Sequence, residues 1–167
     1  MTPVQLLTDA FERVVDNGQA VVDGLGDDQL THRVGPEANT IAWLVWHLTR
    51  VQDAQVADVA GREQVWTSQG YAERFALPFD VSATGYGQSP AEVGQVRAPA
   101  ELLAAYLRAT HEQTLDVLGT LGEADLDRVV DTRWDPPVTL GVRLVSIADD
   151  DMQHVGQAAY VRGLLGA

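Results

Sequence analysis

Residues 139–165 read TLGVRLVSIADDDMQHVGQAAYVRGLL. Within them Leu140, Leu144, Ile147, Ala158, Val161 and Leu165 recur at the three- and four-residue steps of one helix face. The spacing predicts a helix that starts after Thr139 and runs to about Leu165. Its apolar residues cover one side only, so it needs other helices to pack against.

Three further stretches have the same character. Thr2-Pro3-Val4-Gln5 has capping-box form with Pro at the first helical position, and Leu7, Phe11, Val14, Val15, Val22 and Leu25 follow at helical spacing. Gly24 and Gly26 close that helix. A second helix starts after Asn39-Thr40, carries Ile41, Leu44, Val45, Leu48 and Val51, and ends at Gly61. A third begins near Pro99, carries Leu102, Leu103, Tyr106, Leu107, Leu115 and Leu118, and ends at Gly119 or Gly122. No alternating apolar and polar run is long enough for a core strand. The expected fold is all-α: a four-helix bundle in one domain spanning residues 1–167.

The connection between the second and third helices, residues 62–98, is long for a compact domain. It holds Trp66, Tyr71, Phe75, Phe79 and Tyr86, more aromatics than a solvated linker would carry. This crossover is therefore expected to fold over the bundle and cover one end, with a short helix starting at Ser89-Pro90-Ala91-Glu92. Leu25-Gly26-Asp27-Asp28-Gln29-Leu30 also resembles Leu121-Gly122-Glu123-Ala124-Asp125-Leu126. Two similar helix hairpins joined by the crossover would explain that likeness, as would shared turn chemistry alone.

Composition excludes several functions. The 167 residues include 24 acids against 11 basic residues, a formal charge of −13. Such a chain repels nucleic-acid backbones and anionic membrane surfaces. No apolar run approaches a membrane span, and the N-terminus has no basic, then apolar leader, so a cytoplasmic protein is expected. Cysteine is absent, which excludes disulfides, iron–sulfur clusters and thiolate zinc sites, so any thiol chemistry must use an external thiol. Every basic residue is Arg, which excludes lysine Schiff bases and Walker-type phosphate loops.

The chemistry-bearing candidates are histidines. In the last helix Asp150 or Asp151, then His154, interrupts the apolar stripe. Burying a carboxylate there is costly, and a metal ion would offset the cost. Asp150 and His154 are four residues apart, the spacing that lets two side chains grip one ion; a solvated surface pair has the same spacing. His47 lies in the most apolar part of the second helix and completes a His/Asp/His set. Three N/O ligands with an open position suit catalytic zinc, and imidazoles also suit nickel. His111 competes as a ligand by its position but reads as a bundle-edge residue, and His32 reads as loop surface. Gln157 is a candidate to support the ligands by hydrogen bonding, with an ordinary polar role as the alternative. Arg50 could meet a carboxylate ligand or form a surface salt bridge. Trp134 could wall the pocket or simply pack.

The segments Ile41-Ala42-Trp43-Leu44-Val45-Trp46-His47-Leu48 and His154-Val155-Gly156-Gln157 resemble the DinB/YfiT-like metal-dependent bundle family. That family includes thiol S-transferases and the mycothiol-dependent maleylpyruvate isomerase. The resemblance implies that His47, Asp150 and His154 bind a divalent metal, zinc or nickel. Asp150 stands where many members have His, and a carboxylate at that position resembles the maleylpyruvate isomerase branch. It further implies a metal-dependent S-transferase joining a low-molecular-weight thiol of the mycothiol type to a small electrophile. A non-catalytic metal- or ligand-binding protein and a metal-dependent hydrolase remain as alternatives. The implied partners are small molecules, and a homodimer is compatible with the sequence.

Overall fold

In the computed structural model, which describes residues 1–167, caps set the ends of four long helices. Helix α1 is Pro3–Val22; the Thr2 hydroxyl accepts from Gln5 N while the Gln5 side chain accepts from Thr2 N. Short helix α2, Asp27–Leu30, precedes α3, Ile41–Ala60, which Thr40 caps through Trp43 N and which a left-handed Gly61 closes. The crossover holds α4, Val65–Ser68, α5, Tyr71–Phe75, and α6, Pro90–Val93. The expected Ser89 capping box is present, with Ser89 and Glu92 satisfying each other's backbone. Helix α7, Ala100–Leu118, runs from Pro99 to Gly119, and α8, Leu140–Leu165, starts behind Thr139, whose hydroxyl accepts from Val142 N.

The core fixes the direction of each helix. One apolar cluster joins Phe11, Val56, Val117, Leu118, Leu140, Leu144 and Ile147, with Val4 and Leu7 packed against it. Helices α1 and α8 therefore begin at this end, and α3 and α7 finish here. The larger cluster joins the second half of α1, Ile41–Leu48 of α3, Leu103–Leu107 of α7 and Val155–Val161 of α8. Helices α1 and α3 each pack against both α7 and α8 and meet one another only slightly. The two hairpins thus interlock instead of lying side by side.

This arrangement explains the long crossover. Since α3 and α7 run parallel, the chain must return the length of α3, about 30 Å, before α7 can start. The crossover does not cap one end of the bundle, as its aromatic content suggested. It runs along the α3–α7 side, from Asp53, which accepts from Val65 N and Trp66 N, to Trp43, whose indole donates to Gln88. Val65, Trp66, Tyr71, Phe75, Val93 and Val96 join the main core. Each such side chain contributes about 1.5–3 kcal/mol on burial. Tyr86 is the exception, 92% exposed.

The segment between α7 and α8 differs from expectation in detail. It holds a single 3-10 turn, Glu123–Asp127, and a two-strand antiparallel hairpin, β1 Val129–Asp131 and β2 Val138–Thr139. Strands of that length leave no alternation to read. The likeness between residues 25–30 and 121–126 corresponds to one recurring turn. Gly26 N and Gly122 N each donate to a side chain three residues on, Gln29 and Asp125. No helix is long and apolar enough to cross a membrane.

Candidate metal centre

The first half of α3 is buried on all sides, from Ile41 to Arg50, because α7, α8 and the crossover surround it. His47 is part of this run and is 5% exposed. Opposite it, α8 presents two strips. The core strip is Leu140, Leu144, Ile147, Ala148, Asp151, Val155, Ala158 and Val161. Asp150 and His154 occupy the neighbouring strip, with side chains 37% and 16% exposed. The ligand face is therefore rotated off the core face, not in line with it as the spacing suggested.

The structure brings His47, Asp150 and His154 together, one ligand atom from each lying within 4.8 Å of the others. The two imidazole centroids are 4.8 Å apart. Each ring is oriented by a backbone carbonyl. His47 Nδ1 is 2.5 Å from Thr84 O, and His154 Nδ1 is 2.7 Å from Asp150 O. A carbonyl only accepts, so Nδ1 carries the proton in both rings and Nε2 keeps its lone pair. Burial lowers the His47 pKa, outweighing the Thr84 hydrogen bond that raises it, so the ring is held neutral. Asp150 Oδ2 is buried and has no hydrogen-bond partner. Two imidazoles that each keep a lone pair and a carboxylate with an orphaned oxygen, brought within 4.8 Å of one another, could hold a divalent cation. Three protein ligands also leave a coordination position open.

Sequence reading did not identify the residues that shape this point. Trp43 stacks on His47 with centroids 4.4 Å apart and planes 14° from parallel. Its indole N–H donates to Gln88 Oε1 at 2.8 Å, tying the crossover to α3. Gly85 has φ +94, and a Cβ there would lie 2.6 Å from His47 Nδ1 and 3.0 Å from Trp46. Only glycine lets the loop backbone approach so closely. Glycine at 85 was the one visible signal, and nothing local showed which helix it would touch.

The remaining candidates lie apart from the cluster. Arg50 is no surface residue: it is fully buried and pairs with Asp53, not with Asp150. Asp151 is fully buried in the core strip with both carboxylate oxygens unpartnered, and burial pushes its pKa well up. Asp150 is thus the carboxylate that joins the histidines. Gln157 is exposed. Trp134 is 66% exposed in the hairpin and walls nothing at the centre. The hairpin ends at Thr139, which lies eleven residues before Asp150, about 16 Å along α8. His111 is 9% exposed and faces the charges of Glu12 and Asp16 on α1. His32 is exposed, as expected. A surface groove of about 650 Å³ between α1 and α8 contains none of the three convergent residues, so chemistry and not size marks the centre.

Comparison with known proteins gives the family and the fold. The family model described as mycothiol-S-transferase matches residues 6–167. A crystal structure of a conserved protein from Enterococcus faecalis is 32% identical, with a TM-score of 0.92 over 100% of this chain and 99% of that one. No curated protein matches the chain.

Proposed function

The chain belongs to the mycothiol-S-transferase family, and from that premise we propose a metal-dependent transferase that joins the sulfur of mycothiol to a small electrophile. His47, Asp150 and His154 would hold the ion, zinc or nickel by their N and O donors. A bound divalent cation would favour the thiolate form of an incoming thiol, which is the reactive form. The chain itself has neither Cys nor Lys, so it offers no nucleophile of either type.

The protein's own groups supply the setting. Thr84 O and Asp150 O hold the two imidazoles in the tautomer that exposes Nε2. Asp150 would contribute the one negative charge of the set, which would lower the net positive charge of a loaded centre. Trp43 and Gly85 close the His47 side against water. A formal charge of −13 disfavours anionic thiols such as glutathione.

The observation that carries the reading is the meeting of two carbonyl-oriented imidazoles and a carboxylate with an orphaned oxygen in a chain of this family. The test is thiol consumption with mycothiol and a halobimane electrophile, using metal-free protein and protein reloaded with zinc or nickel. A rate that appears only on reloading supports the transferase. Equal rates with and without metal, across mycothiol, bacillithiol and glutathione, remove it. A tightly metal-binding protein without turnover then leads.

A further inference from the structure

Arg50 is fully buried, and its donors reach both limbs of the crossover. Nη1 donates to Gln64 Oε1 at 3.0 Å on the outgoing limb and to Tyr106 OH at 3.2 Å on α7. Nε donates to Ala83 O at 3.2 Å and Nη2 to Val81 O at 3.5 Å, both on the returning limb. The guanidinium also lies over the Trp66 ring at 4.8 Å. Its charge is matched by Asp53 at 3.6 Å, which in turn accepts from Val65 N, Trp66 N and Tyr106 OH, each at 2.8 Å.

The residue after Ala83 is Thr84, whose carbonyl holds His47 Nδ1. The path from guanidinium to ligand is therefore Arg50 Nε, the Ala83 carbonyl, one peptide unit, the Thr84 carbonyl and the His47 ring. Residues 81–84 belong to no helix or strand, so nothing regular fixes the direction of the Thr84 carbonyl. A planar fork with fixed donor directions can fix it by gripping the carbonyls of Val81 and Ala83; a flexible ammonium cannot. Stability alone gives no reason for a buried ion pair here, because apolar packing of similar volume often serves as well.

We propose that Arg50 is a positioning residue of the metal centre: it anchors residues 81–84 so that the Thr84 carbonyl fixes the His47 tautomer and leaves Nε2 free to bind metal. The proposal rests on the metal-centre reading given above. Partners that orient a ligand in this way commonly change metal affinity 10–100-fold when lost.

The experiment compares wild type, Arg50→Lys and Asp53→Asn. Two readouts are taken at a temperature where circular dichroism shows each to be folded. Nitrogen-15 NMR of the metal-free protein reports the His47 tautomer, and chelator competition reports zinc affinity. Arg50→Lys is expected to turn a single Nδ1–H tautomer into a mixture and to weaken zinc binding at least about 10-fold. Asp53→Asn removes charge but leaves the donors on Val81 and Ala83, so it is expected to lower the melting temperature with tautomer and affinity unchanged. A single unchanged tautomer in Arg50→Lys overturns the proposal. So does an equal loss of affinity in Asp53→Asn, which would mean that general loosening is the cause. If Arg50→Lys does not fold, Gly85→Ala displaces the same loop and an unchanged tautomer there overturns it equally. If wild type binds no zinc, the metal reading fails while the tautomer comparison still decides the role of Arg50.

Discussion

Two polar groupings share helix α3 one turn apart, and they are built in opposite ways. Around Arg50, charge is sealed from solvent and mated: guanidinium to carbonyls, Asp53 to backbone N–H groups, Tyr106 bridging the two. Around His47, the Nδ1 donors are spent on carbonyls, and the two imidazoles meet Asp150, one of whose oxygens is unpartnered. Buried polar groups that serve the fold find partners within it. The His47, Asp150 and His154 group could hold a metal ion. Asp151, beside Asp150, is a third case: its oxygens are unpartnered too, but no other ligand atom joins them, so burial costs stability without creating a site.

Breaking the mated grouping should cost most. Asp53→Ala strands the Arg50 charge and two backbone donors, and is expected to lower unfolding free energy by about 3–5 kcal/mol in urea titrations. A loss below about 1 kcal/mol would mean that the network is not the rigid element described here.

The open grouping should respond in metal binding more than in stability. Gly85→Ala forces the loop off His47 and is expected to weaken zinc binding at least about 10-fold by chelator competition. Helix content by circular dichroism should be retained.

Asp151 sharpens the contrast through pH. Its folded pKa is raised by burial, so its contribution is most favourable at acid pH and is lost as pH rises and the unfolded chain ionises first. Asp151→Asn is therefore expected to stabilise the metal-free protein by about 1–3 kcal/mol at pH 7. The advantage should shrink toward pH 4 in paired thermal melts, and an advantage that grows on acidification would reverse the assignment.

The exposed candidates should matter least. Gln157→Ala and Trp134→Ala are each expected to change stability by less than about 0.5 kcal/mol and to leave metal affinity within twofold.

Helix ends are legible in this chain because a cap is local chemistry. Thr2, Thr40, Ser89 and Thr139 each bond within three residues, so their segments announce them. The Asp150–His154 pair is legible for the same reason, since four residues on a helix is a local distance. The register of α8 is not. A step of one residue separates the core strip from the ligand strip, and only the packing of α1 and α3 decides that Asp151 faces in. The sequence offers Arg50 as a partner of a carboxylate ligand or a surface salt bridge and not as a buried anchor, because Gln64, Val81, Ala83 and Tyr106 lie 14 to 56 residues away. Thr84 was invisible because its contribution is a carbonyl that every residue has. The hairpin at 129–139 was invisible because three- and two-residue strands carry no period.

Metal content measured by plasma mass spectrometry, on chains prepared without chelator, tests the centre most directly. Wild type should carry about one zinc or nickel ion per chain, the stoichiometry of a single three-ligand site. His47→Ala, Asp150→Ala and His154→Ala should each lose most of it while keeping their helical spectrum. Unchanged stoichiometry in His47→Ala or His154→Ala would contradict a centre built from these three side chains.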